Sequence, residues 1–128
     1  MPIEVNWLDN QQTIICLTFH GRWNVTDLRS AYQYAHQMIE TRHHQVDFVL
    51  DLRDSETMIS AALSFFNQLG IATAPLNRGA TVVVGDTITN RICYSLMLRL
   101  HPIAIQNLDW QFATSVREAR HLLSKQYA

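Results

Sequence analysis

Apolar and polar positions set out the elements of this chain before any single residue is considered. In "IEVNWLD", Ile3, Val5 and Trp7 fall on one face, the spacing of a half-buried strand. "DNQQ" turns the chain and "TIICLTFHG" follows, so the first two strands are expected to pair as a hairpin. The pattern then changes to a helical period over "WNVTDLRSAYQYAHQMIE". Asn24 can cap this helix, Asp27 stands three residues on, and Trp23 can staple onto Leu28. Its inward stripe is predicted as Val25, Leu28, Ala31, Tyr32, Ala35, Met38 and Ile39. "VDFVLDL" suits a central strand covered on both faces, with Asp51 near its end. A second helix is expected within "SETMISAALSFFNQL", stopping at Gly70. "GATVVVGD" reads as another buried strand, and "TITNRICYSLMLRL" as a third helix ended by His101 and Pro102. "IAIQ" reads as a last strand, and "TSVREARHLLSKQY" as a last helix with Val116, Ala119, Leu122, Leu123 and Tyr127 on one face. The order ββαβαβαβα predicts a single α/β domain over residues 1–128, with a mixed sheet, right-handed crossovers and helices as cover.

Composition narrows the function classes. The net charge is −1 and the ten basic residues are scattered, which argues against nucleic acid, where phosphate contacts need clustered Lys and Arg. "MPIEVNWLDN" has neither the basic start nor the apolar core of a signal peptide. The stretch around "TMISAALSFF" is too short and too polar to span a bilayer. Cys16 and Cys93 lie far apart in mainly apolar surroundings, so both are expected to be reduced core residues of a cytoplasmic protein.

The two leading strands and helix, "VDFVLDLRDSETMISAAL" in the middle and "FATSVREARHLL" at the end together resemble the STAS/SpoIIAA-like superfamily of anti-sigma-factor antagonists and their relatives. "GRWNVTDLRSAY" is similar to the start of the first helix in its SpoIIAA-like branch, which is sometimes compared with lipid-binding Sec14-type domains. The resemblance implies a four- to five-stranded sheet with helices mainly on one face. It also directs attention to the second helix, whose amino end in antagonist domains carries Asp-Ser-Ser-Gly and accepts phosphate on a serine. Laid on this chain without gaps, that motif falls on Ile59, Ser60, Ala61 and Ala62. The acidic residue, the usual acceptor and the glycine are all missing, so no phosphoserine switch of that kind is expected. Ser55, Thr57 and Ser60 have a plainer reading as turn or helix-capping residues.

Other chemistry is thin. Asp51 and Arg53 gather near the carboxyl end of one strand, and Gly85 and Asp86 follow the next. Ligands favour that end of parallel strands, so the four are a candidate anion or ligand site. The competing reading is that Asp86 or Thr87 caps the third helix and Gly85 makes the turn, while Asp51 and Asp54 cap, turn or pair with Arg53. The six histidines show no ligand spacing with cysteines or carboxylates, and are read as surface or helix-terminal. No nucleophile or phosphate-loop motif occurs, so neither an enzyme nor a cofactor or metal is expected.

The third helix is unusual. Ile88, Ile92, Cys93, Leu96, Met97 and Leu100 are predicted to face inward, yet Tyr94 and Leu98 lie on the far side with Arg91 and Ser95 beside them. Something should cover that face, and a homodimer through Arg91, Tyr94, Ser95 and Leu98 is expected. Two function classes follow: a non-catalytic regulatory or protein-interaction module, or a carrier of a small apolar or lipid-like ligand. An apolar-lined cavity would favour the carrier, and a packed core with an apolar surface patch would favour the module.

Overall fold

The computed structural model describes residues 2–56, 78–100, 102, 106 and 110–125. Its first hairpin is organised by one side chain. Asp9 accepts hydrogen bonds from the N–H groups of Thr13 (2.9 Å) and Ile14 (3.1 Å) and from the Thr13 hydroxyl. Gln12 completes the turn with a left-handed φ of 59°. Strand β1 (Ile3–Trp7) thereby returns antiparallel as β2 (Ile14–Gly21), with Val5 opposite Leu17.

Helix α1 (Val25–Glu40) opens with the expected capping box. Asn24 Oδ1 accepts from the Asp27 N–H at 2.9 Å, and the Asp27 carboxylate accepts from the Asn24 N–H at 3.0 Å. Trp23 and Leu28 are buried in the same core. The inward stripe differs in detail from the predicted one. Val25 is exposed and Met38 only partly buried, whereas His36 is buried against Tyr32, with ring centres 4.2 Å apart. His36 is therefore not one of the surface histidines.

Strand β3 spans Val46–Ser55, three residues past the predicted end, and lies between its parallel neighbours β2 and β4 (Arg78–Val84). Helix α2 (Thr87–Leu100), strand β5 (Trp110–Ala113) and helix α3 (Val116–Lys125) complete the order. The predicted second helix lies outside the described residues. The last described strand is "WQFA"; of the predicted strand "IAIQ", residues 103–105 lie outside the described residues and Gln106 is helical. Trp110 and Phe112 alternate toward one core.

The sheet is mixed and five-stranded, ordered β1-β2-β3-β4-β5, with only β1–β2 antiparallel. Both described crossovers, β2–α1–β3 and β4–α2–β5, advance in the same direction along the sheet, so right-handed connections put α1 and α2 on one face. There Leu28, Tyr32, Ile39, Cys93 and Met97 pack on Leu17, Phe19, Phe48, Leu50 and Val83. Ala119 and Leu123 of α3 cover Val49, Ala80, Val82 and Ala113 on the other face. Two of the three described helices thus share a face, as expected. Among the described residues no helix is long and apolar enough to cross a membrane.

A buried carboxylate locks one register. The β3–β4 ladder slips between Val46 and Phe48, and Asp47 Oδ1 accepts from the Ala80 N–H at 2.9 Å. A Cβ on Gly79 would collide with that oxygen, so any larger residue must displace the Asp47 carboxylate from its bond to Ala80.

Candidate functional site

Parallel strands bring polar side chains together at their carboxyl ends. Asp51 and Arg53 sit two apart on β3, hence on one face of the sheet. Arg53 grips the carboxylate with a fork: Nε donates to Oδ1 at 2.9 Å and Nη2 to Oδ2 at 2.8 Å, with the Arg53 N–H on Oδ1 at 3.2 Å. Asp51 is only 7 % exposed. Burial works to raise its pKa, but the Arg53 hydrogen bonds and charge, helped by His20, hold it below the ordinary carboxylate value. The same hydrogen bonds raise the pKa of Arg53. The pair is therefore ionised and mutually satisfied.

The ladder sets His20 opposite Asp54, and the hairpin brings Glu4 alongside. His20 Nε2 lies 3.6 Å from Glu4 Oε2, and Nδ1 lies 3.9 Å from Asp54 Oδ2. Sequence reading missed this trio, because it depends on the pairing of three strands. Below it, Cys16 Sγ lies 3.6 Å from the Thr18 hydroxyl. Burial raises the pKa of Cys16 and pushes that of Cys93 up to about 11, so both stay thiols.

The remaining candidates resolve individually. Ser55 belongs to β3 rather than to a turn, and its hydroxyl accepts from Trp23 Nε1 at 2.8 Å. Thr57 and Ser60 lie outside the described residues. Asp86 caps α2, with Oδ1 accepting from the Thr89 N–H at 2.7 Å. This backbone bond is the main reason its carboxyl titrates below the usual range. Gly85 makes the turn, and Asn90 Nδ2 ties it to β5 by donating to Gly85 O (3.1 Å) and Ala113 O (2.8 Å). The register sets Asp51 beside Val84, so Gly85 and Asp86 do follow at the same end of the sheet. An anion at the start of α2 would meet the Asp86 carboxylate already in place, which removes the electrostatic basis for an anion cradle there.

Helix α2 carries the most distinctive surface. Its buried line is Cys93 and Met97, with Leu96 half-buried. Ile88 and Ile92, predicted to face inward, are instead 72 % and 51 % exposed, and Tyr94 and Leu98 are 45 % and 44 % exposed. The predicted inward face was too wide: Asn90 turns toward the β4 and β5 ends, which rotates Ile88 and Ile92 outward. Arg91, Ser95 and Arg99, spaced by four, form a line down the middle of the exposed face. Ile88 and Ile92 flank that line on one side, Tyr94 and Leu98 on the other. Tyr94 is steadied by an edge-on contact with Phe112, ring centres 5.8 Å apart.

At the opposite end of the sheet a cavity of about 570 Å³ lies beside α3. Among the described residues its lining mixes polar side chains (Thr13, Gln45, Asp47, Arg120, His121 and Ser124) with Ile14 and Leu123, and more of its surface is apolar than polar. Among the described residues no three His, Cys, Asp or Glu side chains gather as a metal site. No family model, curated protein or solved structure matches the chain.

Proposed function

We propose that this chain is a non-catalytic protein-interaction module of the STAS/SpoIIAA-like kind, acting in the cytoplasm without a phosphoserine switch. The observation that carries this reading is the exposed face of α2, where two apolar flanks border the Arg91–Ser95–Arg99 line. An apolar patch with a charged stripe suits a protein partner that offers apolar side chains around acidic ones. Self-pairing across the stripe is disfavoured. A two-fold contact centred on Ser95 would use both flanks but set Arg91 against Arg99 of the other copy. The carboxyl-end residues support a structural role, because Asp51, Arg53, Ser55 and Asp86 each already have an internal partner.

In-cell photocrosslinking from position 94 tests the reading. A discrete protein adduct is expected, and it should disappear when Arg91→Glu and Arg99→Glu are combined. Absence of any adduct from position 94, or native mass spectrometry that finds a stoichiometric lipid-like ligand on the purified protein, overturns it.

A further inference from the structure

We infer that β1 is a self-association edge, pairing antiparallel with β1 of a second copy about a two-fold axis through Val5. The starting point is the direction of its main-chain groups. The Leu8 N–H donates to Ile14 O and the His20 N–H donates to Pro2 O. Even-numbered residues of β1 therefore face β2, and the N–H and C=O groups of Ile3, Val5 and Trp7 point away from the sheet. No described strand lies beyond β1. The usual guards of an open edge are sparse. Pro2 lacks its N–H on the side facing β2, β1 pairs with β2 without a bulge, and Glu4 is its one charged residue.

The side chains select a second copy and a single register. With the axis at Val5, Ile3 pairs with Trp7 of the copy, Glu4 with Asn6, and Val5 with itself. All five residues are used, and about six main-chain hydrogen bonds form from groups already aimed outward. Moving the axis to residue 4 sets two Glu4 carboxylates face to face, which is repulsive. Moving it to residue 6 leaves Ile3 unpaired. Ile3, Val5 and Trp7 all lie on the α1 side of the sheet. There Ser30, Ala31 and Tyr34 of α1 line, with β1, an open groove of about 620 Å³, and Tyr34 is 55 % exposed. Trp7 of the copy, held opposite Ile3 on this face, fills that groove beside Tyr34.

This inference is independent of the α2 reading and uses the opposite edge of the sheet from β5. Sedimentation of the full chain between about 1 and 300 μM is expected to show a monomer–dimer equilibrium. Asn6 is exposed, so its variants preserve the fold while changing the cross-pair charge. Asn6→Glu opposes Glu4 twice per dimer and should weaken association about tenfold, whereas Asn6→Lys should tighten it. In amide exchange, the Val5 N–H should gain protection with concentration, while the Asn6 N–H is protected throughout. A wild-type monomer at about 300 μM overturns the inference. So does a dimer indifferent to Asn6→Glu but dissolved by Tyr94→Glu with Leu98→Glu, which would move the contact to α2.

Discussion

Single residues fix several local geometries, and their replacement has calculable consequences. Gln12 holds φ 59° with a side chain that disfavours it, so Gln12→Gly is expected to raise stability by a few tenths of a kcal/mol in urea titration. Gly79→Ala is expected to cost about 3 kcal/mol by the same measurement, because the new Cβ collides with the oxygen that accepts from Ala80. Asp51 gives a pH signature. Its folded pKa is depressed, so its pairing with Arg53 stabilises the protein above about pH 4, the unfolded value, and is lost as pH falls through the lower folded value. The stability gap between wild type and Asp51→Asn should therefore narrow as pH falls below about 4 in acid titration. Cys16 and Cys93 are expected to resist thiol reagents at pH 8 until the protein is unfolded, as judged by labelling with and without urea. The capping of α1 by Asn24 and Asp27 was legible in the sequence, and the capping of α2 by Asp86 and the pairing of Asp51 with Arg53 were among the readings it left open, since each depends on residues within three positions of one another. The Trp23–Ser55 bond, the His20 trio and the Asp47–Ala80 bond were not, because each joins strands or segments far apart in the chain.

At the scale of elements, the patterns that read correctly were those with one unambiguous period. β1 and α1 each have one, and α3 sets Ala119 and Leu123 inward as its spacing implies. The end of β3 was misjudged because "RDS" is polar. The strand nevertheless continues, since His20 and Gly21 of β2 remain available to pair with Asp54 and Ser55. α2 was harder, because apolar residues surround it and sequence alone could not say which of them the sheet would take. The structure buries Cys93 and Met97 and leaves four larger apolar side chains outside. Ile92→Glu with Leu98→Glu should accordingly leave the folded state intact, with a change in unfolding free energy under about 1 kcal/mol, while abolishing the adduct crosslinked from position 94. Circular dichroism during denaturation, run beside the crosslinking, checks both halves of that expectation.

For the whole molecule, alternation of strands and helices was enough to give the α/β class and a mixed sheet. Strand order, and the covering of the second face by α3, came only with the structure, because right-handed crossovers fix the side of each connecting helix but neither the order of the strands nor the place of a terminal helix. The molecular surface was less legible. An open β-edge has the same residue pattern as a covered one, and which of its main-chain groups are spare becomes visible only with the hydrogen-bond parity of its neighbour. The Arg91–Ser95–Arg99 line could be spaced out on a helix from the sequence, but its exposure depended on how α2 rolled onto the sheet.

Neighbours in the sheet are also neighbours in the chain, from β1 to β5. During synthesis at about 5–20 residues per second, each strand leaving the ribosome therefore meets the strand made just before it at a free margin. No described strand has to insert between two that are already joined. The amino-terminal hairpin can close while the rest is still being translated, and growth then proceeds outward from β2 in one direction. Among the described strands β1 stays at the rim throughout, so its outer side stays free for another molecule from the moment the hairpin closes.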